Sequence, residues 1–551
     1  MINTEKKNWT LMFFLASDNT LSPSTLSQLK AIKAAGSQLN ANVLVYFDPN
    51  EKGAPTRVFE INKEDKKQGI SNIGNPDGPL VSVLTRDSLS PEYISNLPGP
   101  LSKQFGASLQ NVDALQAYEA LENFLGFCRE SYSADNYMLF LLGHGLVVGR
   151  DAFLPDDNPD SAIGLKTLGN ILRTFSTEVG QQGQTLQLVG MHSCSMSSVE
   201  VAYELKGTAK YMLAAQGISF VGSWPYRQML VKIYNAIEHA DDVNVPELVK
   251  SLHSLCIQYS ADFMYAGYSA DMCLCSLEPA RIERLTEPIS KLAQALIEGL
   301  ENPRCKEVIL LAHWKSQSYW QETYTDLYDF CLCLRRLCAH PERQHVPEQA
   351  NPMQFKRREY DRKRIAIIDG CNAVIEKLKP QNGGPLEGPV VCTDFIGPDC
   401  QYSHGLSIYF PWAQPLEDEN DRVLENYQDY AFTGGLTNGP WLTFLESYFV
   451  ATQREDRLSE ERRYADEDTA YQNDPGYQRA LNIARETFAD AVATDRHEFT
   501  PTSVLEGKVS PPDAGGACAC ASTKNYSRAF SMSRGVATVF EGGKSKPAKA
   551  A

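Results

Sequence analysis

The sequence lacks any long apolar run, and this argues against a membrane-spanning helix. Nothing in its 551 residues approaches the roughly 20 consecutive apolar residues that a span requires. The longest candidates, Tyr137–Leu142 and Val308–Ala312, have the length of strands. The first apolar segment, Leu11–Leu15, is shorter than the roughly 7–15 apolar residues of an export signal, so we expect a cytoplasmic protein.

Basic residues are also scarce relative to acidic ones. The chain has 52 Lys and Arg against 68 Asp and Glu, a formal net charge of −16. Nucleic-acid phosphates are bound by clustered Lys and Arg, and no such cluster occurs, so we predict no nucleic-acid partner. The 14 cysteines are few and scattered, and in a cytoplasmic protein they are expected to be reduced thiols.

Apolar strands alternate with helical periodicity through the first half of the chain. The predicted strands are Leu11–Leu15, Val43–Phe47, Val58–Ile61, Tyr137–Leu142, Leu186–Val189 and Tyr211–Ala215. Continuous apolar strands separated by helices predict an α/β fold, with a mostly parallel sheet covered on both faces.

The second half is richer in helices. Helical periodicity covers Pro246–Tyr259, Pro279–Leu300, Tyr319–Leu337, Lys356–Leu378 and Trp441–Val450, and strand character returns at Val390–Thr393 and Gly405–Phe410. We therefore divide the chain into a core at 1–235, helical additions with closing strands at 236–453, and a tail at 454–551. The tail is charged and expected to be largely flexible, with one amphipathic helix.

Two predicted strands end in residues suited to nucleophilic catalysis. His144 lies between Gly143 and Gly145 after one strand, and Cys194 follows another. The carboxyl ends of parallel strands meet at one edge of a sheet, where an imidazole can accept the proton of a thiol. The amides of Gly145 and Cys194 are candidates for an oxyanion hole. A structural histidine and a buried cysteine are the simpler interpretation for either residue alone.

Several segments together resemble the clostripain family of cysteine endopeptidases. They are Ser17–Asn19, Leu142–Gly145, Cys194–Leu205, Ser223–Tyr226, Asp326–Phe330 and His404–Pro411, in order along most of the chain. The resemblance implies a caspase-like fold, with Cys194 as nucleophile and His144 as general base and acid. The 50-residue separation of these two residues also matches the caspase arrangement.

One departure bears on specificity. Members of the family usually carry Asp two residues before the nucleophile, which helps to accommodate Arg or Lys before the scissile bond. His192 occupies that position here, and the loop from Gln216 to Trp224 contains no acidic residue. We predict a neutral or apolar preference, with His192, Gln216, Ile218, Phe220 and Trp224 lining the pocket. A partly protonated His192 would repel basic residues further. Alternatively, His192 orients the thiol of Cys194 and has no part in specificity.

Two sets of residues suggest metals. Asp151, Asp156, Asp157 and Asp160 form an acidic loop that suits calcium, although a solvated loop is the simpler interpretation. The residues Cys331, Cys333, Cys338, His340 and His345 suggest zinc, but Cys331 and Cys333 would point to different faces of a helix. No cofactor is required by the predicted chemistry.

The sequence thus predicts a regulated cytoplasmic endopeptidase that acts on a protein or peptide substrate. Analogy with proteins of this fold suggests a role in prokaryotic defence, by cutting a dedicated partner such as a gasdermin-like pore former. The alternative is a catalytically silent scaffold or adaptor that binds partners through its tail.

Overall fold

The structure is a computed structural model. It describes residues 6–50, 56–61, 81–84, 116–146, 148, 151–157, 160–238, 243–262, 268–319, 322–339, 353–379, 388–414, 423–434 and 439–452. The predicted tail at 454–551 lies outside these residues, as do His340 and His345.

A nine-stranded sheet forms the centre of the described structure. Its strands are β1 Lys7–Ser17, β2 Ala41–Pro49, β3 Arg57–Glu60, β4 Val81–Leu84, β5 Ala134–Leu142, β8 Thr185–His192, β9 Tyr211–Ala214, β10 Ala270–Ser276 and β13 Val390–Ile396. The spatial order is β13-β10-β9-β8-β5-β1-β2-β3-β4. The five strands from β9 to β2 are parallel, and the outer strands on both sides pair antiparallel.

Two smaller sheets complete the strands. β6 Phe153–Asp157 pairs with β7 Asp160–Ile163 in a hairpin. β11 Ser318–Tyr319, β12 Tyr324–Asp326 and β14 Ser407–Tyr409 form a three-stranded sheet. A parallel bridge between Ser198 and Ser407 joins this sheet to the segment that follows Cys194.

Helices cover the large sheet on both sides. They are α1 Ser22–Ala34, α2 Ala117–Ser131, α3 Leu165–Gly180, α4 Val199–Glu204, α5 Tyr226–Glu238, α6 Val245–Ala261, α7 Pro279–Ile282, α8 Thr286–Leu300, α9 Pro303–Lys315, α10 Leu327–Ala339, α11 Met353–Leu378, α12 Val423–Gln428 and α13 Ala431–Gly434, followed by helical residues 440–452.

Successive side chains of β1 enter different cores. Met12 and Phe14 belong to one apolar cluster, whereas Leu11 and Phe13 belong to another. Because neighbouring residues of a strand point to opposite faces, both faces of the sheet are buried, which is why the sequence of this strand is a continuous apolar run. The predicted α/β class is confirmed.

Three predictions for the second half require correction. The helix predicted over Pro279–Leu300 is divided into α7, a 3₁₀ turn at Glu283–Leu285, and α8. The helix predicted from Tyr319 begins at Leu327, because the preceding residues form β11 and β12. β10 was not predicted at all. Since β10 and β13 belong to the large sheet, the boundary drawn at 235 falls between strands of one sheet.

None of the described helices has the length and apolar character needed to span a membrane.

Candidate active site

The candidate catalytic residues follow the carboxyl ends of two neighbouring parallel strands. Leu142 at the end of β5 pairs with His192 at the end of β8, so the turns after both strands emerge side by side. The first turn carries His144 and the second carries Cys194. A Cβ atom on Gly145 would lie 2.8 Å from the backbone nitrogen of Cys194. The two turns are therefore in direct backbone contact, which only glycine permits at this position.

His144 contacts the turn that follows β1 and the hairpin formed by β6 and β7. Its side chain is buried, with 4% exposure. Its Nε2 lies 3.1 Å from Oγ1 of Thr20, and its carbonyl accepts the amide of Leu154 at 3.2 Å. Thr20 directly follows the Ser17–Asn19 segment that contributed to the family resemblance, so the sequence held a signal for this contact.

Cys194 is also buried, with 2% exposure, and its thiol is engaged by a loop amide. The N–H of Ser219 donates to Sγ at 3.1 Å, and the carbonyl of Ser219 lies 3.7 Å from the same sulfur. The next residue, Ser195, has a φ of 58°, an uncommon left-handed conformation for a residue other than glycine. Its amide donates to the carbonyl of Gly217 at 3.1 Å, which ties the turn to the loop.

The predicted pocket residues divide into two groups. Ile218 and Phe220 are partly exposed, and the ring of Phe220 packs on Tyr268 with centroids 4.8 Å apart. Gln216 and Trp224 are buried, with 0% and 1% exposure, and their predicted contact with substrate stays a prediction. Tyr268 was missed because it approaches from a segment distant in sequence.

The structure places His192 inside the protein, and its predicted pocket role stays a prediction. The side chain is fully buried and stacks on Trp224, with ring centroids 4.8 Å apart. Its Nδ1 lies 2.9 Å from the hydroxyl of Tyr226, and its Nε2 lies 2.8 Å from the carbonyl of Phe220. Burial lowers its pKa to about 3, which favours a neutral imidazole near pH 7 over the expected partial protonation. The buried ring of His192 thus packs against the loop from Gln216 to Trp224 inside the protein.

A buried carboxylate that sequence reasoning missed lies behind the same loop. Asp271 of β10 accepts the amides of Gln216 at 2.7 Å and Gly217 at 2.8 Å. The side chain of Gln216 donates to Asp326 at 2.9 Å and accepts the amide of Gly405 at 2.9 Å. Burial raises the pKa of Asp271 to about 6, with the nearby Asp326 adding to the effect.

The acidic loop is divided among different structural roles. Asp151 accepts the first amide of α3, from Leu165, at 2.6 Å and the hydroxyl of Tyr430 at 3.1 Å. Asp157 instead accepts the side-chain amide of Asn50 at 3.0 Å. Within the described ranges, no three His, Cys, Asp or Glu side chains are grouped so as to hold a metal ion. Calcium dependence stays a prediction.

The cysteines of the zinc hypothesis lie along α10. Cys331 and Cys338 are buried in the apolar core, whereas Cys333 is partly exposed, with its Sγ 4.0 Å from Oδ1 of Asp329. The three thiols therefore do not share one environment. The two histidines of that hypothesis lie outside the described residues.

The structure is an α/β protein whose central sheet carries His144 and Cys194 on two adjacent turns. The clostripain family model matches residues 13–346, and the chain belongs to this family. Clostripain from Hathewaya histolytica is 22% identical over 373 residues, which cover 58% of this chain and 64% of clostripain.

Solved structures with a similar fold include two C11 proteases. An inactive zymogen C11 protease from Parabacteroides distasonis has 16% sequence identity and a TM-score of 0.42, with 79% of this chain and 99% of that chain covered. A secreted C11 cysteine protease from Bacteroides thetaiotaomicron, in complex with an irreversible peptide inhibitor, has 13% identity and a TM-score of 0.41, with coverages of 80% and 99%.

Proposed function

We propose that the protein is a cysteine endopeptidase in which Cys194 and His144 form the catalytic pair. The observation that carries this proposal is the backbone contact between Gly145 and Cys194 at the ends of paired strands. This contact brings an imidazole-bearing turn and a thiol-bearing turn to one point of the sheet edge. Membership of the clostripain family supports the same assignment.

The proposed reaction proceeds in two stages. His144 accepts the thiol proton while Sγ of Cys194 adds to the peptide carbonyl carbon. The amides of Gly145 and Cys194, the predicted oxyanion hole, stabilise the charge that develops on the carbonyl oxygen. The C–N bond then breaks as His144 returns the proton to the leaving amine. Water hydrolyses the resulting thioester, releases the carboxylic acid and restores the thiol.

The surroundings of the thiol support a neutral or apolar residue before the scissile bond. The exposed surface beside Ser219 comes from Ile218 and Phe220, with Tyr268 packed against the latter. The nearby carboxylate of Asp271 is 1% exposed and already binds two backbone amides. A guanidinium or ammonium group placed there would find the Asp271 carboxylate inaccessible and already bonded, and burying an unpaired charge is costly.

A mixed peptide library tests both parts of the proposal. Wild-type protein should cleave after neutral or apolar residues, and Cys194→Ala and His144→Ala should each lower kcat/KM by at least about 1,000-fold. Cys392→Ala removes a different, partly exposed thiol and serves as the control with unchanged activity. Dominant cleavage after Arg or Lys would overturn the specificity. Cleavage that survives in Cys194→Ala would overturn the mechanism.

A labelling experiment distinguishes the peptidase from the alternative of a catalytically silent scaffold or adaptor. A folded wild-type protein whose Cys194 reacts with no thiol-directed peptide probe would favour the adaptor. A cytoplasmic location, a role in defence and a dedicated partner such as a gasdermin-like pore former stay predictions from the sequence.

A further inference from the structure

A short loop after β9 connects a buried carboxylate with the nucleophilic thiol. We define it as the 215–220 loop. Asp271 binds its first half through the amides of Gln216 and Gly217, at 2.7 and 2.8 Å. Its second half carries the amide of Ser219, which donates to Sγ of Cys194 at 3.1 Å.

The position of Asp271 follows from strand register. β10 pairs antiparallel with β9 so that Cys273 lies opposite Ala214. Two residues beyond this pair, Asp271 and Gln216 face each other just past the end of β9. The carboxylate therefore meets two backbone amides that have left the sheet ladder. Each of its oxygens accepts one of them, and both amides are satisfied without water.

Gly217 permits this approach of the carboxylate. A Cβ atom at this residue would lie 3.0 Å from Oδ1 of Asp271 and 3.2 Å from Cδ1 of Tyr319. The carbonyl of Gly217 accepts the amide of Ser195 at 3.1 Å, and the carbonyl of Ala215 accepts the amide of Ser197 at 2.9 Å. The loop held by Asp271 is thus bonded at two points to the turn that follows Cys194.

We propose that Asp271 is a positioning residue for the nucleophile: it fixes the 215–220 loop so that the amide of Ser219 points at the thiol of Cys194. This inference rests on the proposed peptidase function. An N–H directed at sulfur stabilises the thiolate more than the thiol, so the loop assists formation of the nucleophile. Asp326 is not equivalent, because it reaches this loop through the side chain of Gln216.

Asp271→Asn tests the proposal, since asparagine keeps the size but offers one acceptor oxygen instead of two. We expect kcat to fall by about 10–100-fold with a smaller change in KM. Alkylation of Cys194 by iodoacetamide, followed by mass spectrometry of its peptide, should show the pH midpoint of the reaction rising by about one unit. Asp394→Asn, an exposed carboxylate on the neighbouring strand, is the matched control with no change in either quantity.

Gly217→Ala is a second test of the proposal, and it leaves the carboxylate of Asp271 in place. The added methyl group should separate the loop from Asp271 and reproduce the shift in the alkylation midpoint. The double variant, with Gly217→Ala and Asp271→Asn together, should show little more effect than either single variant. Both changes break the same connection, between Asp271 and the 215–220 loop. Circular dichroism and thermal melting identify variants that remain folded.

Unchanged kcat and an unchanged alkylation midpoint in folded Asp271→Asn or Gly217→Ala protein would overturn the proposal. So would fully additive effects of the two changes. If the wild-type protein cleaves no peptide, the proposed function fails separately. The alkylation midpoints would then still decide whether Asp271 controls the thiol.

Discussion

Gly145 illustrates how one missing side chain defines the site. Its position beside the backbone of Cys194 leaves no space for a Cβ atom. Gly145→Ala should therefore separate the turn of His144 from the turn of Cys194. A displacement of about 1 Å at reacting groups costs roughly 100-fold in rate, and we expect at least this loss in kcat/KM.

The control for Gly145→Ala is Gly180→Ala at the end of α3, where an added methyl group would meet no neighbouring atom within 4 Å. Steady-state assays of both variants give the comparison. Full activity in Gly145→Ala would show that the two turns need not be in contact.

His192 allows a test of whether the family's usual residue can be restored. His192→Asp would place a carboxylate among Trp224, Tyr226 and the carbonyl of Phe220, none of which carries a positive charge. We expect the free energy of unfolding to fall by about 3–5 kcal/mol, as for an uncompensated buried charge.

His192→Gln is the matched neutral change, and it should lose less stability in urea titrations. A His192→Asp protein as stable as the wild type, and newly able to cleave after Arg, would mean that this side chain does face the substrate.

One buried carboxylate of helix α4 contacts two residues of the second half of the chain. Glu200 accepts the amide of Tyr409 at 2.9 Å and the hydroxyl of Tyr427 at 2.8 Å. Glu200→Ala leaves both donors without this acceptor and should reduce the free energy of unfolding by about 2–4 kcal/mol. Burial already raises the pKa of Glu200, so the neutral Glu200→Gln, which keeps an acceptor, should lose less than half as much. Urea unfolding of both variants measures the difference, and equal losses would contradict this role.

Local sequence signals explain some corrected elements but not others. Pro288 has no N–H, and its ring conflicts with the carbonyl four residues earlier, so the break before α8 was predictable. By contrast, β12 pairs with β14 about 80 residues later, with Thr325 opposite Ile408. Strand pairing between such distant segments overrode the helical periodicity of Tyr319–Leu337, and nothing nearby in the sequence indicated it.

The same distinction separates the candidate catalytic residues from the residues that contact them. His144 and Cys194 were predictable because glycines and apolar strands adjoin them in sequence. Ser219 and Asp271 were not, since their contacts depend on the register between β9 and β10. The buried position of His192 was not predictable either, because its closeness to Cys194 in sequence did not reveal which side of the loop the ring would occupy.

Buried groups of opposite type give the whole protein opposing responses to acid. Burial lowers the pKa of His313 from 6.5 to about 3 and raises that of Asp329 from 3.8 to about 6. Below pH 6.5 the unfolded chain protonates His313 and the folded chain does not, so this group reduces stability on acidification. Between about pH 6 and 4 the folded chain protonates Asp329 first, so this group increases stability.

Replacing each group should therefore shift the pH dependence in opposite directions. As the pH falls from 6 to 4, His313→Gln should gain stability relative to wild type by up to about 1.4 kcal/mol per pH unit. Asp329→Asn should lose stability relative to wild type over the same range. Urea unfolding at pH 7, 6, 5 and 4 measures both differences, and parallel curves for all three proteins would contradict the assigned shifts.

The bond between Ser197 and Gly405 has a consequence for biosynthesis. The hydroxyl of Ser197, three residues after the nucleophile, donates to a carbonyl that lies 208 residues later in the chain. At about 5–20 residues per second, a ribosome needs roughly 10–40 s to make the intervening segment. During that interval the nascent chain carries the segment after Cys194 without the strand that bonds to it. The timing of translation thus delays assembly of the site until most of the protein exists.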